Sequence, residues 1–303
     1  MTELRSSLAG ICAITVTPFG SDLAVDEAGL RKIVAQVDEG ADSIAACGGL
    51  AEYYALSASE RRLVADVTVA AARRAPVIVA VGLGIENAIE EARHAELAGA
   101  AGIMIHPPPQ PYTHPDGLAR YYRAICSSVD IAAVGYIRDP ALTADDLREL
   151  ITIENLAGIK YAVNDIRAFA GIVDDLRGVR DIAWVCGTAE AWAPFFWLAG
   201  AVGYTSGIAN FAIRESAMLR DALGRSDGPA IRAAWGRLRL LEDLRSSARE
   251  ANSIAVVKAA TELCGFGLRT VRPPLRSLPD DDVARLSALL ADWDIPALAA
   301  LPR

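Results

Sequence analysis

The amino-acid sequence predicts a (β/α)8 barrel, or TIM barrel, in residues 1–226, and a C-terminal helical extension in residues 227–303 that packs on the barrel. Short apolar runs alternate with longer amphipathic stretches, as strands and helices do in α/β proteins. Eight such pairs in one chain imply a closed parallel barrel. A doubly wound sheet is the alternative, but its first strand usually leads into a glycine-rich phosphate turn, which residues 16–20 do not resemble.

Each predicted strand is a short apolar run bounded by a change of pattern. Every run is followed by a predicted helix, so the strands are expected to lie parallel. The runs are residues 10–16, 43–47, 76–81, 102–105, 131–136, 156–161, 182–186 and 202–205.

The amphipathic stretches predict the helices. Ser57 to Glu60 forms a capping box and Thr143 to Asp146 a close variant. Barrel helices are predicted at 26–39, 57–74, 87–98, 116–127, 143–152, 165–177, 189–199 and 214–223, and extension helices at 228–246, 253–263 and 281–291. Several helices lead into a glycine, as expected for left-handed C-terminal caps: Gly40, Gly99, Gly178 and Gly200.

Composition excludes several functional classes. The chain has 303 residues, 52% of them hydrophobic and 22% charged, which suits a large core and argues against disorder. A net charge of −8 argues against nucleic-acid binding, because phosphates require a basic surface. The five cysteines are scattered without a Cys-x-x-Cys pair, as in reducing compartments. Residues 1–5 do not resemble a signal peptide, so a soluble cytoplasmic protein is predicted.

Lysine is rare in this chain, so its positions are informative. Only three of the 30 basic residues are lysines, namely Lys32, Lys160 and Lys258. Lys160 closes the apolar run 156–160. An amine can lose its proton and attack a carbonyl, whereas a guanidinium cannot, so this position favours a nucleophilic lysine. The alternative is a lysine whose head reaches water from a strand end.

Active sites of such barrels lie at the C-terminal ends of the strands. Tyr136 ends the fifth predicted strand and Lys160 lies at the end of the sixth, so a phenol and an amine are expected to face each other across the barrel mouth. This pair suits imine formation, in which the lysine attacks a ketone and the phenol transfers protons. Taken alone, Tyr136 is more typical of a half-buried aromatic residue, and it is the pairing with Lys160 that favours the catalytic interpretation.

A glycine-rich turn, Gly48-Gly49-Leu50-Ala51-Glu52, follows the second predicted strand. Paired glycines let backbone N–H groups approach a ligand carboxylate; a turn without a ligand is the alternative.

Two histidines, His106 and His114, flank a proline-rich loop expected to lie over the barrel mouth. Either could contact substrate. Together with His94 they lack the spacing of a metal site, so no metal is predicted. Lys258 lies in a helical segment away from any strand end, which indicates a structural role.

Five motifs occur in a fixed order along the chain: Thr17-Pro18-Phe19, Gly48-Gly49-Leu50-Ala51-Glu52, Tyr136, Gly158-Ile159-Lys160 and Gly203-Tyr204-Thr205-Ser206-Gly207. This order resembles the dihydrodipicolinate synthase / N-acetylneuraminate lyase family of class I aldolases over nearly the whole chain. Family members are (β/α)8 barrels in which the strand-six lysine forms a Schiff base with pyruvate or another 2-oxo acid.

The resemblance implies a role for each site residue. Lys160 would form the imine, with no added cofactor, and Tyr136 would carry protons. Gly48, Gly49 and Leu50 would hold the carboxylate of the 2-oxo acid. Gly207 and Ile208 would line the pocket. The family also implies a homotetramer or a dimer.

Departures from the family pattern narrow the function. The usual GTTGE is Gly-Gly-Leu-Ala-Glu at residues 48–52, so both threonines are missing and a threonine-linked proton relay is not available. Dihydrodipicolinate synthases carry an arginine five residues after the tyrosine, where this chain has Ala141. Lysine biosynthesis is therefore disfavoured.

Other motifs resemble the 5-dehydro-4-deoxyglucarate dehydratase branch, whose substrate is a dicarboxylic 2-oxo acid. They are Glu52-Tyr53-Tyr54-Ala55-Leu56, Tyr136-Ile137-Arg138-Asp139, Asn210-Phe211 and Val271-Arg272-Pro273-Pro274-Leu275. Arg138 could bind the distal carboxylate of such a substrate, or it could pair with Asp139 or Glu52 as part of the structure.

The sequence thus predicts a Schiff-base-forming lyase, an aldolase or a dehydratase, acting on a 2-oxo acid, with a sugar-derived dicarboxylic 2-oxo acid as the candidate that the branch resemblance implies. A 4-hydroxy-tetrahydrodipicolinate synthase is one alternative. A catalytically weak paralogue that binds a 2-oxo acid is the other.

Overall fold

The computed structural model describes residues 2–293 and 295 and confirms the predicted barrel. Eight parallel strands close on themselves in chain order, with β8 paired to β1. The strands are β1 Gly10–Ile14, β2 Ser43–Ala46, β3 Val77–Val81, β4 Gly102–Ile105, β5 Ala132–Ile137, β6 Leu156–Tyr161, β7 Ala183–Cys186 and β8 Gly203–Ser206.

Helices follow the strands on the outside, and three more come after the last barrel helix. The helices are α1 Thr2–Ser7, α2 Glu27–Asp38, α3 Ala58–Ala71, α4 Ile85–Leu97, α5 Pro115–Cys126, α6 Ala144–Ile151, α7 Ile166–Asp175, α8 Ala189–Leu198, α9 Ala209–Gly224, α10 Gly228–Ser246, α11 Ser253–Leu263 and α12 Asp280–Leu290. Two short 3-10 helices, Gly49–Ala51 and Tyr53–Ala55, lie between β2 and α3.

Two features of the helices differ from the sequence prediction. Helix α1 was not predicted, because six residues carry too little periodicity to be recognised. It leads into Leu8, whose side chain would lie 2.9 Å from a Cβ placed on Gly158 of β6. Helix α9 begins before its predicted start, because a kink with non-helical φ and ψ angles at Ala212 joins a first turn to the rest of the helix.

The predicted caps are largely confirmed. Capping boxes begin α3 at Ser57 and α6 at Thr143. Left-handed glycines occur at Gly99, Gly178 and Gly200. The prediction was wrong for Gly40, whose φ is not positive. A Cβ on Gly40 would lie 2.9 Å from Cγ1 of Ile213, so close packing of α9 requires glycine there.

The strands are buried along almost their whole length, as expected for parallel strands covered on both faces. Leu238 and Leu241 of α10 and Val256 and Val257 of α11 are also fully or almost fully buried, so the C-terminal helices share this core. Among the described residues, no helix combines the length and the apolar character that a membrane span needs.

Candidate active site

Tyr136 and Lys160 occupy partner positions on the neighbouring parallel strands β5 and β6. The Lys160 Nζ atom lies 3.9 Å from the centre of the Tyr136 ring. Lys160 is only 6% exposed, so its head does not reach freely into water. The structure therefore brings the two residues together as the sequence predicted.

The stem of Lys160 has space beside Gly187, and its amine is bonded to none of the described residues. Within the described part of the chain its amine makes no hydrogen bond or ion pair. On the neighbouring β7 side, a Cβ placed on Gly187 would lie 3.0 Å from Lys160 Cγ, so the absence of a side chain at Gly187 leaves space for the lysine stem.

The turn after β2 is strained at both ends. Cys47 and Glu52 adopt left-handed backbone conformations, with φ of 58° and 59°, which are uncommon outside glycine and cluster at functional sites. A Cβ on Gly48 would lie 2.6 Å from Ile14 Cγ2, whereas one on Gly49 would meet nothing within 4 Å. Gly48 thus allows close packing on β1, and Gly49 borders open space.

The N–H groups of this turn suit an anion. Gly49 and Leu50 begin a 3-10 helix, and the first N–H groups of a helix have no intrahelical acceptor. Neither N–H donates a backbone hydrogen bond in the described chain. Gly49 is exposed and Leu50 is half-buried, so both N–H groups are available to an anion, and the carboxylate site stays a prediction.

A buried ion pair holds Glu52, the last residue of the turn after β2. Lys258 Nζ lies 2.5 Å from Glu52 Oε1, and both side chains are inaccessible to solvent. The same amine donates to the Thr270 carbonyl at 2.6 Å, and the Arg272 N–H donates to Glu52 Oε2 at 2.8 Å. Burial lowers the pKa of Lys258 to about 8, opposed by the charge of Glu52. Lys258, which the sequence placed away from any strand end, therefore contacts the turn after β2 and fixes its last residue.

Arg138 lies at the barrel mouth and forms no ion pair with any described residue. It is exposed, and its guanidinium carbon lies 6.0 Å from the centre of the Tyr136 ring. Neither Asp139 nor Glu52 pairs with it, since Asp139 accepts from the Ala141 N–H and Glu52 binds Lys258. In the described residues Arg138 therefore forms neither of the two predicted structural ion pairs, with Asp139 or with Glu52.

Gly207 and Ile208 follow β8 at the same end of the barrel, but both are buried. A Cβ on Gly207 would lie 3.1 Å from the Arg245 guanidinium. The Asn210 amide nitrogen donates to the carbonyls of Gly207 and Ile14, each at 2.8 Å. These residues therefore fix the backbone after β8, and their role in lining a pocket stays a prediction.

His106 is more central than the sequence suggested. It directly follows β4, is 2% exposed, stacks on Tyr53 at 4.8 Å and meets the Tyr136 ring edge-on at 5.3 Å. Burial, assisted by the positive charges of Lys160 and Arg138, lowers its pKa to about 3. His114, by contrast, is exposed and caps the N-terminus of α5. The signal that separates them is that His106 immediately follows a strand.

A buried carboxylate beside the end of β8 was not predicted from the sequence. Glu190, at the start of α8, is inaccessible to solvent and accepts hydrogen bonds from Ser206 and Ser216. Its second oxygen has no partner among the described atoms. Burial, together with the nearby charge of Glu242, raises the pKa of Glu190 to about 7.

We predict that Glu190 makes stability fall with rising pH. A carboxyl whose folded pKa exceeds its unfolded value stabilises the fold at low pH, and this contribution is lost as pH rises through about 7. The loss amounts to roughly 3 kcal/mol at most. Urea unfolding at pH 5 and pH 8 should show this slope in the parent protein and a reduced one in Glu190→Gln. An unchanged slope in Glu190→Gln would contradict the assignment.

A cavity of about 530 Å³ lies beside the mouth rather than at the lysine. It is lined by residues after β3, by residues 108–114 after β4 and by α5, and neither Lys160 nor Tyr136 borders it. We place the candidate site at Lys160, because its amine lies against Tyr136 at the C-terminal ends of the strands, the end of the barrel that also carries the turn after β2.

Known proteins match this chain over almost its whole length. The family model described as "Dihydrodipicolinate synthetase family" matches residues 7–292. A Bacillus subtilis protein named "Probable 5-dehydro-4-deoxyglucarate dehydratase" is 30% identical over 297 residues, which cover 96% of this chain and 96% of that protein.

Solved structures show the same similarity. The crystal structure of dihydrodipicolinate synthase from Bacillus clausii has a TM-score of 0.92 and 35% identity, and the match covers 96% of this chain and 100% of that one. That of the chloride-inhibited dihydrodipicolinate synthase from Acinetobacter baumannii, complexed with pyruvate, has a TM-score of 0.85 and 26% identity over 94% of this chain and 98% of the other.

Proposed function

The chain belongs to the dihydrodipicolinate synthetase family, and on that premise we propose that it is a class I, Schiff-base-forming lyase that dehydrates a sugar-derived, dicarboxylic 2-oxo acid. The observation that carries this proposal is the Lys160–Tyr136 pair, a buried amine that bonds to none of the described residues and lies 3.9 Å from the centre of a phenol ring at the mouth of the barrel.

The first chemical step is imine formation. The Lys160 amine attacks the C2 carbonyl carbon of the 2-oxo acid, and the resulting carbinolamine loses water to give an iminium. The Gly49 and Leu50 N–H groups bind the C1 carboxylate, which places C2 at the amine. The iminium then draws electrons from C3, so that a C3 proton can be removed and a hydroxyl at C4 can leave as water. Hydrolysis of the imine returns the amine.

Tyr136 moves the protons of these steps. Its ring lies against Lys160, so its hydroxyl belongs to the same small volume as the reacting atoms. A positioned phenol can protonate the departing carbinolamine hydroxyl and accept a proton afterwards. The family threonines are replaced by Gly49 and Leu50, so Tyr136 acts without a threonine hydroxyl from these two positions.

The substrate class rests on two supports. Relatives about 30% identical to this chain carry the name 5-dehydro-4-deoxyglucarate dehydratase, which denotes action on a six-carbon diacid with one oxo group. Arg138 supplies a cation at the mouth that pairs with no carboxylate of the described residues, where the distal carboxylate of such a diacid would lie.

We expect Arg138→Ala to weaken binding of diacids selectively. A charge-assisted arginine–carboxylate contact contributes about 1.5–3 kcal/mol. Its loss should lower kcat/KM for the sugar diacid roughly 10- to 100-fold. The half-saturating concentration of 2-oxoadipate in imine trapping should rise by a similar factor, while that of pyruvate stays nearly constant. Equal losses for pyruvate and 2-oxoadipate would show that Arg138 has only a structural role.

A 4-hydroxy-tetrahydrodipicolinate synthase is the second candidate, because the solved synthase from Bacillus clausii is 35% identical to this chain. Ala141 stands where those enzymes carry an arginine, and it is exposed. Mass spectrometry separates the candidates. A dehydratase removes water from 5-dehydro-4-deoxyglucarate without a second substrate. A synthase instead condenses two substrates, pyruvate and aspartate semialdehyde. Imine formation without either turnover would identify a 2-oxo-acid-binding paralogue.

We also propose a cytoplasmic homo-oligomer. All five cysteines are free and buried, which fits a reducing compartment. On α8, Phe195 and Leu198 are 44% and 89% exposed, and large exposed apolar side chains favour contact with a second subunit.

A further inference from the structure

His106 is placed at the level of the reacting pair. The backbone N–H of His106 donates to the Val81 carbonyl at 2.9 Å, which continues the β3–β4 pairing by one residue. On the other side, Ile105 of β4 pairs with Gly135 of β5, so the next positions along these strands are His106 and Tyr136. An imidazole, a phenol and an amine thus lie at matching positions near the ends of three consecutive strands, β4, β5 and β6.

Aromatic rings hold the imidazole in one orientation. It stacks on Tyr53 with an interplanar angle of 26° and meets Tyr136 edge-on at 85°. The Tyr54 hydroxyl lies 3.5 Å from Nδ1, at the outer limit of a hydrogen bond. Such a fixed ring presents its remaining nitrogen in a defined direction.

That remaining nitrogen, Nε2, is buried and has no hydrogen-bond partner among the described atoms. Buried polar atoms without a partner are rare in proteins and call for an explanation. Burial, and after it the nearby cations Lys160 and Arg138, lowers the pKa of His106 and disfavours an imidazolium, so the ring offers one donor and one acceptor. A tautomer protonated at Nε2 lets the Tyr54 hydroxyl donate to Nδ1 and leaves Nε2 as a donor.

Resting on the imine chemistry proposed above, we propose that His106 is a specificity-determining residue whose Nε2 hydrogen-bonds a hydroxyl group on the chain of the bound 2-oxo acid. A neutral imidazole suits a hydroxyl, while the carboxylates have the Gly49–Leu50 turn and Arg138. The Tyr54 hydroxyl contacts Nδ1 and not Nε2, so the substrate hydroxyl would bind the ring nitrogen that has no partner among the described atoms.

The test compares two six-carbon diacids that differ in their hydroxyl groups. Borohydride trapping of the imine gives half-saturating concentrations for 2-oxoadipate, which has none, and for 5-dehydro-4-deoxyglucarate, which has two. His106→Phe keeps a ring against Tyr53 and removes both nitrogens. We expect it to weaken saturation by the hydroxylated diacid roughly 10- to 100-fold and to leave that of 2-oxoadipate within a factor of about two.

His106→Gln returns a polar nitrogen and should recover part of the loss. His114→Gln, in an exposed position of the same loop, is the matched control and should change neither diacid. Equal weakening of both diacids by His106→Phe, or no weakening of either, would overturn the inference. If His106→Phe does not fold, His106→Leu serves for the same comparison. The parent protein separates the two proposals, because failure to trap an imine with pyruvate at Lys160 would overturn the proposed function itself.

Discussion

Replacing Lys160 by arginine is expected to reduce turnover to background while the barrel stays folded. Arginine keeps the positive charge and the long stem, but its guanidinium cannot lose a proton and attack a carbonyl. The lysine makes no bonded contact among the described residues that arginine would break. Turnover of 5-dehydro-4-deoxyglucarate, with a melting curve for each protein, checks this expectation.

Lys32→Arg is the matched control. Lys32 lies on the exposed face of α2, so this variant makes the same chemical change far from the barrel mouth and should retain full turnover. Appreciable turnover by folded Lys160→Arg would remove the imine from the mechanism.

Replacing Tyr136 by phenylalanine should lower kcat by roughly 10²- to 10⁴-fold, the usual contribution of a positioned proton carrier. The ring that contacts Lys160 is kept, so the free energy of unfolding should change little. Because no threonine hydroxyl is available at positions 49 and 50, the phenol has no partner there to take over its function. Single-turnover kinetics, which separate imine formation from binding, make the clearest measurement.

Tyr112→Phe provides the comparison for this variant. Tyr112 is 91% exposed in the loop after β4, and loss of its hydroxyl should leave kcat unchanged. If Tyr136→Phe also kept near-parental kcat, water or another group would have to carry the proton.

The barrel and the reacting pair could be predicted from sequence because their signals are local. An apolar run shows where each strand lies, and the strand ends place Tyr136 and Lys160 at one mouth. Ends of elements were less accurate. The first strand was predicted to reach Val16 but ends at Ile14, because the Val16 N–H donates to the Asn210 side chain and not to a neighbouring strand.

Features built from distant segments could not be predicted. Glu52 and Lys258 are 206 residues apart, and nothing in either local sequence indicates a buried pair. His106 follows a strand in the sequence, but its burial depends on Tyr53 and Tyr136 from neighbouring loops and strands. Glu190 reads as an ordinary residue in the first turn of a helix, and only the tertiary fold encloses it.

The central claim is that Lys160 forms an imine with a 2-oxo acid, and borohydride reduction tests it most directly. Pyruvate and borohydride are added to the intact protein, and the modified peptide is located by mass spectrometry. We predict one reduced adduct, on the peptide that contains Lys160, and none in Lys160→Arg. An adduct on Lys32 or Lys258, or no adduct with any 2-oxo acid that the protein turns over, would contradict the proposed mechanism.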